Sequence, residues 1–277
     1  MTDVNVVFTG SIPENYDRYL GPTLFEPYAR DLARRVPGKH GTRLLEVACG
    51  TGIATRHLLD HLPPGGRLVA TDLNEPMLQR ARGSLPAAGR IDWRQADACA
   101  LPFEDGSFDA VVCQFGLMFV PDKGLAVREA RRVLAPGGAF VTSVWDSLDA
   151  NRFARIAHET IASYFPSDPP TFYQVPFSLH DRQALLGLLA ANGFPGARLE
   201  EVALEGESPS AADLARGLVE GNPVGAAVRE RGGVPVETVI GAVARNVAKE
   251  FGDRPVRLPL KAVVASARAG APAPARD

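Results

Sequence analysis

The chain is poor in the residues that mark several functional classes. It has three cysteines in 277 residues, Cys49, Cys99 and Cys113. They form no C-x-x-C pair and no histidine stands at ligand spacing beside them, so neither a disulfide framework nor a zinc site is indicated. No uncharged apolar run approaches the ~18 residues of a membrane-spanning helix. The first ten residues, MTDVNVVFTG, lack the basic stretch followed by a long apolar one that marks a signal peptide. There are four lysines and no dense Lys/Arg block; Arg34–Arg35 and Arg131–Arg132 are only pairs, and the net charge is −2. Nucleic-acid surfaces show a basic face or stripe. These absences argue against nucleic acid and membrane insertion. They favour a cytoplasmic protein, monomer or homodimer, acting on a small-molecule substrate.

What is present is an ordinary globular balance, 45% hydrophobic and 22% charged. Between Arg43 and Trp145, short apolar runs alternate with longer amphipathic ones, with turns such as PPGG and FEDGS between them. That spacing predicts a mostly parallel sheet with helices on both faces. Ahead of it, residues 11–38 read as a helical cap, cut into short helices by Pro22 and Pro27. Residues 42–148 form the expected cofactor-binding core, and 150–193 a helical and loop substrate region. The last strands are expected at 196–207 and 255–267, around a helical insert over 208–252. Residues 268–277 read as a disordered tail.

The stretch LLEVACGTGIAT, Leu44–Thr55, joins an expected strand to an expected helix through a small-residue turn. Such a turn brings backbone N–H groups at a helix start against a ligand. The dinucleotide fingerprint G-x-G-x-x-G/A fails here, because Thr55 stands at the third small position. Glu46, just before the turn, disfavours an anionic pyrophosphate and suits a ligand carrying positive charge. Asp72 ends the second strand, placed for ribose hydroxyls. Asp97 follows the third strand, where it could accept from an adenine amino group or cap nearby N–H groups.

Together, LLEVACGTG, VATDLNEPML, QADACALPFEDGSFDAVVCQFGLMFVPD and LAPGGAFVTSVW resemble the class I S-adenosylmethionine-dependent methyltransferases, in the group that includes the UbiE-type quinone methyltransferases. The resemblance covers roughly residues 42–145. It implies a Rossmann-like fold with a seven-stranded, mostly parallel sheet and S-adenosyl-L-methionine as cofactor. It also implies a site in which Glu46, Ala48, Gly50 and Gly52 line the methionine end. Asp72 would hold the ribose, Leu73 and Met77 the adenine face, and Asp97 and Ala98 its edge. Gln114 and Phe115 would lie near the methionine portion, and Tyr16 in the cap would cover the cofactor. Ala48 departs from the glycine common in relatives, which is tolerable if the backbone there has negative φ.

No base for the reaction stands out. Tyr16, Gln114, His158 and His180 are the candidates, the two histidines reading equally as surface or capping groups. Tyr19, Met118, Trp145, Phe172 and Tyr173, with Phe119, could wall a substrate site or be ordinary core. His57 and His61 are four apart on the first crossover helix, away from the expected cofactor mouth, so no metal is expected. The expected activity is methyl transfer to an O, N or C atom of a small molecule. The alternatives are a methyltransferase fold that binds the cofactor but does not transfer methyl or catalyses another reaction, and, further off, an NAD-dependent oxidoreductase.

Overall fold

Strand β1 (Arg43–Val47) is exposed only at Arg43; its next four residues are buried in succession, the mark of a strand covered on both faces. In the computed structural model, which describes residues 8–85 and 89–270, it lies inside a seven-stranded sheet. β2 (Arg67–Asp72), β3 (Ile91–Gln95), β4 (Phe108–Gln114) and β5 (Leu134–Trp145) join it in parallel. β6 (Arg198–Ser208) and β7 (Val256–Arg268) complete the order β3-β2-β1-β4-β5-β7-β6, with β7 antiparallel to both neighbours. The order reverses between β1 and β4, and sheets of this kind bind ligands beyond the strand carboxyl ends at that switch.

The cap is one continuous helical run rather than separate helices. α1 (Ile12–Asn15) passes into a π-helical segment, Tyr16–Phe25, and then into α2 (Glu26–Arg35). Pro22 lies inside the π segment, whose wider hydrogen-bond pattern absorbs an interruption without ending the helix. Pro27 falls in the first turn of α2, where no N–H is needed.

The crossover helices are α3 (Ile53–His61), α4 (Glu75–Ser84) and α5 (Lys123–Val133). α5 shows why they form. Ala126, Val127, Ala130 and Val133 make one buried stripe, Arg131 and Arg132 close the last turn, and Asp122 caps the start by accepting from Leu125 N–H at 2.8 Å. The APGG stretch lies within β5, where the ladder jumps from Phe108↔Leu134 to Ala110↔Ala139. The expected tail begins inside β7: Ala269 N–H donates to Gly138 O at 2.8 Å. Residues 271–277 lie outside the described residues.

After the core come α6 (Arg152–Ser163) and α7 (Arg182–Ala191). The insert between β6 and β7 holds α8 (Ala211–Glu220), α9 (Val224–Arg231) and α10 (Val236–Phe251). α8 presses directly on the cap. A Cβ at Gly217 would lie 2.7 Å from Leu20 Cδ2 and 2.8 Å from Tyr19 Cβ, so only glycine allows this approach. Among the described residues no helix is long and apolar enough to cross a membrane.

Two buried polar side chains pin these layers. Tyr28 of α2 donates to Val202 O of β6 at 3.0 Å. Asn151, fully buried before α6, donates to Lys261 O at 2.9 Å and accepts from Lys261 N–H at 3.0 Å. It thereby fixes the mouth of β7 beside β5. Asn151→Ala strands both backbone groups and should lower unfolding stability by ~2–3 kcal/mol in a urea melt; Tyr28→Phe, losing one bond, should cost ~1 kcal/mol.

Candidate functional site

Side chains from the ends of three strands meet on one face of the sheet. Glu46 pairs in register with Ala70 on one side and Val112 on the other. Two residues further along each neighbour stand Asp72 and Gln114. With the period of two along a strand, Glu46, Asp72 and Gln114 therefore share a face. It is the face the cap covers, since Gln114 Nε2 donates to Phe25 O at 3.1 Å.

The turn after β1 is held in place by β2. Cys49 N–H donates to Thr71 O at 2.9 Å, and Gly50 N–H to Asp72 Oδ2 at 2.8 Å. Asp72 Oδ1 accepts from Asn74 N–H at 2.8 Å. Gly50 has a φ of +56° and Gly52 of +85°. Ala48 also has positive φ, +56°, against the condition expected for an alanine there. This left-handed geometry costs a residue with a Cβ about 1–2 kcal/mol. Phe115, at +52°, is the second such residue, and its ring stacks on Trp145 at 4.1 Å and 9°. Both non-glycine outliers line the same cavity, and strain of this kind collects at ligand sites.

That cavity, about 750 Å³, runs from the β1 turn to beneath α8. Tyr16, Glu46, Ala48, Gly50, Asp72 and Leu73 line it, as do Met77, Asp97, Ala98, Gln114 and Phe115. Leu73 is 54% exposed, an apolar side chain left open at the rim. The far part is walled by Met118, Phe119, Trp145, Phe172 and Tyr173, together with Phe177.

Four expected residues do not line it. Gly52 starts α3, and a Cβ there would lie 3.2 Å from both Ala81 Cβ and Leu85 Cδ1, so its smallness serves helix packing. Tyr19 faces α8 on the outer side of the cap. His158 stands behind the wall, its ring 6.2 Å from that of Tyr173. His180 Nδ1 is engaged with Phe177 O at 2.7 Å, closing its own loop. His57 Nε2 lies 3.0 Å from Glu26 Oε1.

The sequence reading missed Phe8, Phe25, Asn74, Leu218 and Asn222, all lining residues. Phe8, just before the cap, and Phe25, within it, carried only a signal of hydrophobicity. Leu218 and Asn222 come from the insert and reach the cavity through the α8–cap contact.

The electrostatics are one-sided. Glu46 is 1% exposed, and its Oε2 has no hydrogen-bond partner. Burial, with the Asp72 charge adding to it, pushes its carboxyl up to about 8. Burial also raises Asp72, against the pull of the Asn74 and Gly50 N–H groups. Tyr16 is raised by burial and by the Asp72 and Asp17 charges, so it stays a neutral phenol. Among the described residues no cation contributes to either carboxylate.

Two predictions follow from this geometry. A Cβ at Gly116 would lie 2.5 Å from Ala48 Cβ and 2.8 Å from Cys113 Sγ. Gly116→Ala should cost ~1–3 kcal/mol of stability, and adding Ala48→Gly should recover part of it, as read by urea melts of all four chains. Glu46 keeps its proton in the folded state to about pH 8, whereas its ordinary value is 4.5. The folded state then binds more protons than the unfolded one between these values. Stability should fall as pH rises from 4.5 to 8, by up to ~1.4 kcal/mol per pH unit from this group. Glu46→Gln should remove that slope; an unchanged slope would count against the assignment.

Residues 45–142 match the family described as a methyltransferase domain. Over 134 residues the chain is 36% identical to a demethylmenaquinone methyltransferase of Staphylococcus aureus, covering 47% of this chain and 56% of that protein. The chain thus spans about half the length of the curated relatives it matches. Phosphoethanolamine N-methyltransferase 2 of Haemonchus contortus, solved with S-adenosyl-L-methionine, is similar in fold, with a TM-score of 0.63 at 16% identity over 98% of this chain and 61% of that one. A putative methyltransferase from an antibiotic biosynthesis pathway of Anabaena variabilis gives 0.62 at 14% identity, over 88% of this chain and 98% of that one. The chain thus carries a Rossmann-like class I methyltransferase fold, and residues 45–142 within it are similar to the methyltransferase-domain family.

Proposed function

We propose that this chain is an S-adenosylmethionine-dependent methyltransferase acting on a small molecule held in the aromatic half of the cavity. The observation that carries the reading is the buried Glu46 Oε2, one strand away from Asp72 and, among the described residues, unpartnered and with no cation beside either carboxylate. Such a floor repels a pyrophosphate and suits a ligand bearing ammonium and sulfonium charge. Each Asp72 oxygen already holds one backbone N–H and has a second lone pair for a ribose hydroxyl. Leu73 and Met77 offer apolar faces to an adenine, with Asp97 and Ala98 at its edge.

The cofactor supplies an electrophilic methyl group, and the protein supplies position and electrostatics. Tyr16, stacked on Phe25 at 4.7 Å and 16°, would cover the donor from the cap. The aromatic half would hold an acceptor with its reacting atom in line with the donor methyl. Orientation alone contributes several kcal/mol of rate, on the order of 7 or more in the best cases. The low-dielectric walls would exclude water. The similarity to a protein named for a methyl transfer to demethylmenaquinone supports a small-molecule acceptor.

A cation binding against Glu46 needs the carboxylate, so binding below about pH 8 should displace its proton. Calorimetric titration with S-adenosylmethionine at pH 7, in two buffers of different ionisation enthalpy, should show release approaching one proton. Glu46→Gln should show none and bind at least tenfold more weakly. Incubation with methyl-labelled donor and a panel of amines, phenols and quinols should transfer label to a small molecule. Binding of NAD without binding of S-adenosylmethionine would overturn the proposal.

A further inference from the structure

On the methyltransferase reading, we infer that the acceptor is an amine nitrogen on a flat apolar skeleton, its N–H donated to Gln114 Oε1. The amide of Gln114 is oriented by Phe25: Nε2 donates to the Phe25 carbonyl at 3.1 Å, which leaves Oε1 as the other end. Oε1 is buried and has no hydrogen-bond partner. Ser143, its register partner on β5, is buried and its hydroxyl is unpartnered too, so no hydrogen bond joins the two among the described residues. Gln114 lies two residues beyond Val112, the register partner of Glu46, which sets it ~6–7 Å further along the shared face. The orphan oxygen thus stands one step from the donor floor, at the border of the aromatic half.

The lining around this oxygen suits a positive centre and not a negative one. Among the described residues that line the cavity there is no histidine and no arginine. The charged ones are Glu46, Asp72, Asp97 and Lys123. Lys123 is engaged with Val120 O at 3.0 Å and starts α5, next to Asp122, whose carbonyl lies 3.5 Å from Cys99 Sγ; it belongs to the end beyond Asp97 and Ala98. Among the described lining residues there is thus no histidine to take a proton from a hydroxyl and no arginine to hold a phenolate or carboxylate. An anion placed at Gln114 would face a carbonyl oxygen, with two carboxylates beyond it.

An amine asks for the opposite. The nitrogen lone pair forms the new C–N bond as the S–C bond breaks, and that bonding pair goes to sulfur. Positive charge passes from sulfur to nitrogen, and the N–H proton leaves afterwards to water. As nitrogen becomes cationic, its N–H···Oε1 bond strengthens, which favours the transition state over the ground state. The stacked Phe115 and Trp145 faces add a cation–π contribution. Beneath α8 the polar groups are already engaged: Tyr173 Oη donates to Leu218 O at 2.7 Å, and Asn222 is held at both ends by Leu218 O and Val224 N–H. Phe119 and Phe172 stack 6.2 Å apart, a wall suited to a flat skeleton.

The test is calorimetric titration of the full chain, saturated with S-adenosylhomocysteine at pH 8. Three probes of one skeleton are compared: N-methyl-1-naphthylmethylamine, 1-naphthol and 1-naphthylacetate. The amine should bind at least tenfold tighter than the other two. Gln114→Leu should lose at least tenfold in amine affinity while keeping S-adenosylhomocysteine affinity within twofold. Gln114→Glu should keep or increase the amine preference, and it carries the test if Gln114→Leu does not fold. Equal or tighter binding of naphthol or naphthylacetate overturns the inference, as does absence of amine binding. An equal loss of amine and S-adenosylhomocysteine affinity in Gln114→Leu overturns it too, assigning Gln114 to the donor. Failure of S-adenosylhomocysteine itself to bind the wild-type chain defeats instead the methyltransferase reading beneath it.

Discussion

The hydrogen bond from Gly50 N–H to Asp72 Oδ2, at 2.8 Å, ties the turn after β1 to the end of β2. Through it the left-handed turn residues, the start of α3 and the floor of the cavity keep one geometry. The carboxylate that makes this bond is buried, and Glu46 beside it is buried as well. Removing such charges from water costs several kcal/mol each unless they are paired or neutralised. Asp72 offsets part of that cost with two backbone donors. Glu46 has no such help at Oε2 and keeps its proton instead, up to about pH 8. A Glu46 carboxyl that stays neutral when the site is empty and ionises when a cation arrives follows from this burial.

The aromatic half depends on a different chain of contacts. The insert reaches the cavity only because Gly217 lets α8 press on Leu20 and Tyr19. The cap in turn meets the sheet through Phe25 and Tyr28, whose rings pack at 5–6 Å against Phe115 and Trp145. The acceptor chamber is thus assembled from the cap, the ends of β4 and β5, the loop carrying Phe172 and Phe177, and α8. These segments are far apart in the chain, so the part that selects an acceptor can change without disturbing the β1–β2 floor.

The floor was legible in the sequence because its signals are local. A buried strand, a small-residue turn and a carboxylate at the next strand's end lie within thirty residues of one another, and Glu46, Gly50 and Asp72 could be read from that pattern. Gly52 was legible as a glycine but not in its use, since its neighbours Ala81 and Leu85 belong to a later helix. The prolines misled in the cap because a π segment can carry Pro22 where an α-helix would break. Tyr19 packs instead against Gly217 of α8, a segment far along the chain that no local pattern announces. Leu218 and Asn222 depend on a contact between chain segments about two hundred residues apart, and no local pattern announces it.

The central claim is that the Glu46–Asp72 floor is a donor site for S-adenosylmethionine. The most direct measurement is a crystal structure of the chain grown with S-adenosylhomocysteine. The account predicts the amino group within hydrogen-bond distance of Glu46, the ribose hydroxyls on Asp72 and the adenine against Leu73 and Met77. A ligand bound elsewhere, or with its carboxylate against Glu46, would contradict it.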